Sequence, residues 1–296
     1  MFLVSLMTAL LCAAPGAGPS PGENRANVPV TMEEGAWFLH VPPGHKGAVV
    51  LRFVERPDSV TEVATGRALS FTHDAGTLTF DPPAPLAADD STVAVAWKND
   101  RWDKEMEAFA EADRKQPPQT GGILFVGSST IAIWDLDRDF PGMKALNRGF
   151  GGSQYADAVY HFRRVILPYR PATMVIYDGD NDIGSGKSPE WVNADFEALM
   201  RQIRFSLPDT RVIVLSTKPS AARWPLWDKI QQANAMNERF VQKQEKMVFL
   251  NIAPPLLDSG GKPRPELFQK DGLHLNAEGY AACSALVRPL LEVPAK

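Results

Sequence analysis

Two adjacent serines, Ser128 and Ser129, close an apolar run and a glycine in Gly121-Gly-Ile-Leu-Phe-Val-Gly-Ser-Ser-Thr-Ile-Ala-Ile-Trp134. Far downstream, Asp271 and His274 stand three residues apart, close enough for one tight turn to pair them. These residue types carry out acyl transfer. A serine hydroxyl becomes a good nucleophile when a histidine takes its proton. The histidine needs a carboxylate to hold its tautomer and stabilise the imidazolium. The tetrahedral intermediate needs hydrogen-bond donors aimed at its oxyanion. Two stretches can supply them. The glycine-rich Asn147-Arg-Gly-Phe-Gly-Gly152 can present a backbone N–H without side-chain obstruction, and Gly179-Asp-Asn-Asp182 offers the Asn181 amide.

These residues need elements to bring them together. Ile123 to Val126 is short and apolar enough for a buried strand. From Gly121 onward, strand-like runs at 123–126, 144–148, 173–177, 211–216 and 247–251 alternate with helical patterns at 155–166, 188–206, 226–245 and 276–291. An amphipathic helix precedes them between Asn99 and Lys115, with Trp102, Met106, Phe109 and Ala110 on one face. Strict alternation predicts a three-layer α/β/α domain around a parallel five-stranded sheet. In such a sheet the four motifs fall on one carboxyl edge, where open α/β sheets bind ligands.

In this order the four motifs resemble the four blocks of the SGNH (GDSL-like) hydrolase superfamily, over about residues 99 to 291. The resemblance implies an SGNH, flavodoxin-like fold and a serine esterase. It places Ser129 as nucleophile, Asp271 and His274 as its triad partners, and Ser129, Gly152 and Asn181 as oxyanion-hole donors. It implies no metal and no organic cofactor. Leu167-Pro-Tyr169 and Asp271-Gly-Leu-His-Leu-Asn-x-x-Gly-Tyr280 are similar to bacterial members close to the platelet-activating-factor acetylhydrolase-like branch. One departure stands out: Ser128 occupies the position of the usual aspartate in Gly-Asp-Ser, and is expected to serve as a turn or helix-capping residue. The Gly-x-Ser-x-Gly elbow of α/β-hydrolases does not fit this spacing.

Upstream of this region the pattern changes. Residues 1–14 are apolar and followed by small residues and Pro-Gly, which reads as a signal peptide within 1–19 and a secreted or periplasmic protein. Cys12 raises a lipoprotein anchor, against which Leu11 counts, since such signals carry a small residue there. Residues 20–29 read as a linker. Residues 30–98 read as a small all-β sandwich module, with a strand at 47–54, a glycine-turn hairpin over 69–80 and a strand at 92–97. The hydrolase domain is expected over 99–296. A net charge of −4 and a single adjacent arginine pair, Arg163-Arg164, argue against nucleic acid as a partner. No later segment is apolar enough to span a membrane. Cys283 reads as a buried small hydrophobe.

Asp178, Asp180 and Asp182 imitate the first three ligands of a calcium loop, but Ile183 sits where that loop needs glycine. A metal-dependent phosphoesterase built on this loop would lose activity in EDTA. Arg148, Arg223 and Trp224 lie in loops expected to face the site and to meet a polar or anionic part of the substrate, Arg148 being equally suited to a loop-ordering salt bridge. His40, His45, His73 and His161 read as surface or packing residues. Short connections predict no long lid. The expected substrate is therefore a short acyl ester, acetyl above all, on carbohydrate or cell-wall polymer, with glycan held by the β module. The alternatives are a lysophospholipase or other lipid acylhydrolase, and a non-catalytic glycan-binding surface protein.

Overall fold

The computed structural model describes residues 20–22, 25–33, 35–83 and 91–292. The signal peptide and Cys12 lie outside the described residues. By contact the chain divides into two units, Met1–Asp100 with Met200–Phe205, and Arg101–Leu199 with Ser206–Lys296.

Seven short strands build the first unit: β1 (Val30–Glu33), β2 (Ala36–Val41), β3 (Val49–Arg52), β4 (Ser59–Glu62), β5 (Phe71–Asp74), β6 (Thr77–Phe80) and β7 (Ser91–Ala96). They form two antiparallel sheets, β1-β2-β7-β4 and β3-β6-β5. Alternation directs Leu78 and Phe80 of β6, and Val93 and Val95 of β7, inward. The hairpin turns at Ala75 and Gly76, both with positive φ (43° and 76°). A two-residue turn with two left-handed residues matches the twist of its strands. Strand β2 departs from alternation: Ala36, Trp37, Phe38 and Leu39 are all buried.

The second unit is a five-stranded parallel sheet in the order β12-β11-β10-β8-β9. Its strands are β8 (Ile123–Gly127), β9 (Ala145–Gly149), β10 (Thr173–Tyr177), β11 (Arg211–Leu215) and β12 (Met247–Leu250). The helices are α1 (Asp103–Lys115), α2 (Ser129–Ala132), α3 (Leu136–Asp139), α4 (Tyr155–Tyr160), α5 (Phe162–Val165), α6 (Asp180–Gly184), α7 (Pro189–Ser206), α8 (Trp227–Val241) and α9 (Ala277–Leu291). Central strand β10 is buried at every residue, which explains its unbroken apolar run. One face packs Phe125, Val175, Tyr177, Ile213 and Leu215 against Trp134, Phe140, Tyr280 and Cys283. Cys283 is fully buried, and burial pushes its thiol up to about 12, so it behaves as a small hydrophobe.

Two expectations change. The helix expected over 155–166 breaks at His161, whose φ and ψ (−89°, 13°) leave the helical range. His161 is buried among Trp102, Phe150 and Tyr160, and burial lowers it to about 4. The connections are also not uniformly short. Residues 251–276, between β12 and α9, hold 3-10 turns at Pro254–Leu256 and Pro265–Leu267 and two isolated antiparallel bridges, Leu257 with Pro263 and Phe268 with Leu275. This segment does not stand off as a lid, because Ile252, Leu256, Leu267, Phe268 and Leu275 tie it into the core.

Strand order β9-β8-β10 puts the topological switch point between β8 and β10. Ligands of such sheets bind in the crevice outside the strand ends there. Ser129 lies just past the end of β8, and Asn181 just past the end of β10.

Candidate active site

The crevice begins at Gly127, the last residue of β8. Its φ is 145°, and a Cβ there would stand 1.8 Å from the carbonyl oxygen of Tyr177. Only glycine lets β8 and β10 close at this point. Ser128 follows in extended conformation at the N-cap position of α2, and its carbonyl accepts from Ile131 and Ala132 N–H, both at 2.9 Å. Its hydroxyl does not cap: Oγ is buried without a hydrogen-bond partner. The capping role expected for Ser128 therefore falls to its backbone.

Ser129 is the first residue of α2 and half-buried. Its Oγ lies 3.0 Å from Nε2 of His274, and Nδ1 of His274 lies 2.6 Å from Oδ2 of Asp271. The other Asp271 oxygen accepts from the N–H of Leu273 (2.9 Å) and of His274 (3.0 Å). The His274 hydrogen bond and these two backbone donors lower the Asp271 carboxyl to about 2. An ionised carboxylate only accepts, so Nδ1 carries the ring proton. Nε2 is then a lone pair facing the Ser129 hydroxyl. The tight turn works as its spacing suggested, helped by Gly272 at φ 63°.

The glycine turn after β9 is pinned to the same place. Phe150 N–H donates to Gly127 O (2.9 Å), and a Cβ on Gly151 would touch Ser129 Cβ at 4.0 Å. Gly149 admits no side chain either, since a Cβ would stand 2.3 Å from Ala132 N. Asn147 holds the end of α2 by donating to Ile131 O (2.7 Å) and Trp134 O (3.3 Å). Asn181 Nδ2 donates to Ser153 O at 3.0 Å, which ties the third block to the second. Among the described residues, the N–H groups of Ser129 and Gly152 donate to no protein acceptor. A turn and a helix start thus present donors beside a serine hydroxyl, an arrangement suited to binding an oxyanion.

The GDSL-like Lipase/Acylhydrolase family matches residues 133–282, just over half of the chain. The chain belongs to that family. It is a carboxylic-ester hydrolase of the SGNH kind, as the four blocks implied. The matched segment contains Gly152, Asn181, Asp271 and His274 and begins four residues after Ser129. The chain is 27% identical over 216 residues to platelet-activating factor acetylhydrolase IB subunit alpha2 of Gallus gallus, covering 71% of this chain and 88% of that protein. Its fold resembles a GDSL-like lipase from Bacteroides thetaiotaomicron, with a TM-score of 0.56 at 22% identity, over 63% of this chain and 97% of that one.

Around the site, this GDSL-family chain buries charges that the motifs alone did not explain. Asp178 is fully buried and accepts from Ser153 Oγ (3.1 Å). Burial pushes its carboxyl well above the usual range, with Asp182 and Asp180 adding to the effect. Asp182 is raised by burial to about 7, against the pull of Lys187 Nζ at 3.6 Å. Lys187 also donates to Asp195 (2.8 Å), and Asp180 faces Lys218 Nζ at 3.6 Å. The three aspartates of the loop are thus turned to separate partners. The Asp182 carbonyl accepts from Lys187 N (3.1 Å) and Ser185 Oγ (2.8 Å), so Asp182 braces this loop. Ser153, Lys187, Asp195 and Lys218 had no motif to mark them.

Arg148 is not placed to meet a substrate. It is buried, and its three nitrogens donate to the Tyr169 hydroxyl (2.7 Å), to Asn147 O (2.9 Å) and to the Asp113 carboxylate. Its guanidinium also packs on Phe109 and Tyr169. The loop-ordering salt bridge is what the fold uses. Trp224 stacks on Trp227 (5.8 Å between centroids) under Lys262 Nζ, 4.6 Å from its ring. Trp227 is only partly buried, unlike Trp102. The Arg223 loop adjoins the Asp271–His274 turn, with Ala222 N–H donating to Gly272 O at 3.0 Å.

Proposed function

We propose that this protein is a secreted serine esterase that removes short acyl groups, acetyl above all, from carbohydrate or cell-wall polymer. The observation that carries the reading is the hydrogen-bonded chain Ser129–His274–Asp271 at 3.0 and 2.6 Å. His274 takes the Ser129 proton as Oγ attacks the ester carbonyl, and Asp271 stabilises the imidazolium. The Ser129 and Gly152 N–H groups and the Asn181 amide receive the oxyanion. His274 then protonates the leaving alkoxide. Water, activated by the same ring, hydrolyses the acyl-enzyme and restores Ser129. No metal or organic cofactor has a step in this scheme.

A short acyl group fits the packed 251–276 segment, which does not stand over the site as a large apolar cover of the kind that long-chain lipases use. The avian relative is named an acetylhydrolase, in keeping with acetyl. In this reading residues 1–19 are a signal peptide, 20–29 a linker, 30–98 an accessory β module that holds glycan, and 99–296 the hydrolase domain. Among the described residues no helix is long and apolar enough to cross a membrane.

A panel of p-nitrophenyl acetate, butyrate and octanoate, run beside acetylated oligosaccharides, tests the substrate class. We expect kcat/KM to fall at least about 10-fold from acetate to butyrate, as a tight acyl pocket rejects added methylenes. Octanoate as the fastest substrate would overturn the short-acyl assignment and favour lipid esters.

A further inference from the structure

Arg223 stands apart from the other buried or half-buried cations at this end of the sheet. Lys187 and Lys218 face carboxylates, and Arg148 has every nitrogen engaged. Among the described residues Arg223 makes no ion pair, and its Nε is buried without a hydrogen-bond partner. Arg223 is half-buried and faces no carboxylate among the described residues, so its guanidinium can take up an anion as counter-charge.

Its seat looks built for it. The guanidinium lies on Gly184, the last residue of α6: a Cβ there would stand 2.6 Å from Cζ, 2.7 Å from Nη2 and 2.9 Å from Nη1. The three heavy atoms nearest to that position all belong to the Arg223 guanidinium, so a side chain at 184 would displace it. Gly184 follows Asn181 by three positions, so the two share a helix face. On its other side, Arg223 follows Ala222, whose N–H holds Gly272 O in the His274 turn. Arg223 therefore joins the element that carries the Asn181 amide to the turn that carries His274.

We infer that Arg223 forms a subsite for an oxyanion on the leaving-group part of the substrate, so that the preferred esters are acylated molecules bearing a carboxylate or a phosphate. The leaving group departs towards His274, which protonates it, and Arg223 sits on the loop bonded to that turn. A planar guanidinium binds either anion with two parallel hydrogen bonds. This inference rests on the esterase reading above and names the chemistry of its substrate.

The test compares 3-acetoxybenzoate and 3-acetoxyphenyl phosphate with methyl 3-acetoxybenzoate, a neutral ester of like shape. In the wild type, kcat/KM is expected to be about 10-fold or more higher for at least one anionic ester than for the neutral one, and to fall with added salt. Arg223→Gln should cut that anionic-to-neutral ratio by about 10-fold or more, as loss of a charge-assisted contact does. Gly184→Ala provides a second variant that keeps the charge and unseats the guanidinium, and it should lower the ratio several-fold. Which anion is preferred identifies its source in the natural substrate. Equal rates on anionic and neutral esters in the wild type, or a ratio that neither variant moves, would overturn the subsite. Ser129→Ala, run in parallel, separates the two levels: activity surviving it would sink the esterase mechanism, whatever the charge preference.

Discussion

Ser129→Ala is expected to lower kcat/KM for p-nitrophenyl acetate by about 10⁴-fold or more, with the fold intact, while Ser128→Ala stays within a few-fold of wild type. The two hydroxyls are neighbours in sequence but not in environment. Ser129 Oγ faces Nε2 of His274 at 3.0 Å, whereas Ser128 Oγ is buried and touches no acceptor or base. In the proposed mechanism, removing the Ser129 hydroxyl deletes the atom that attacks. Removing Ser128 Oγ deletes an unsatisfied buried group, and the capping bonds of Ser128 run through its backbone. Some turnover should survive in Ser129→Ala, because the remaining donors still bind the oxyanion while water attacks. Equal losses from the two variants would show that the turn needs its shape and not a nucleophile at 129.

Asn181→Ala is expected to cost about 10²- to 10³-fold in kcat with little change in KM, the size of effect seen when one oxyanion donor is lost. The Asn181 amide carries two N–H bonds. One is spent on Ser153 O at 3.0 Å and fixes the side chain, and in the proposed mechanism the other meets the developing charge. Ground-state binding uses that donor weakly, so the loss should fall on kcat. Steady-state kinetics on an activated acetyl ester, with thermal melting as a control for folding, measures this. A rise in KM at constant kcat would instead make Asn181 a substrate-binding residue. A loss of less than about 3-fold would remove it from the oxyanion hole, since even one well-placed donor is worth far more.

Much of this site was legible in the sequence because a parallel sheet converts sequence order into position. Each motif follows an apolar run, and all such runs end on one edge, so Ser129 and His274 meet although the chain separates them widely, and Asn181 reaches Ser153 beside the second motif. The Asp271–His274 pair needed only local geometry. Arg148 was opaque for the opposite reason. Its partners Asp113 and Tyr169 lie in elements distant in sequence, and no local pattern shows which way a strand-end arginine turns. The same holds for Asp178, whose partner Ser153 belongs to another loop. The break at His161 was hidden because apolar periodicity continues across it, and the packing of His161 among aromatic rings decides the backbone there. Strand β2 was not picked out as a separate strand, because a run buried at nearly every position does not alternate.

The most direct test of the mechanism is to trap the acyl-enzyme. Wild-type protein is mixed with excess p-nitrophenyl acetate, quenched in acid within milliseconds, digested and examined by peptide mass spectrometry. A Ser129 nucleophile with His274 at 3.0 Å predicts an acetyl group on the peptide containing Ser128 and Ser129, with fragmentation assigning it to Ser129. His274→Ala should form the same adduct far more slowly. An acetyl group on Ser128, or one found on no residue of this peptide while turnover proceeds at the wild-type rate, would contradict the Ser129–His274–Asp271 account.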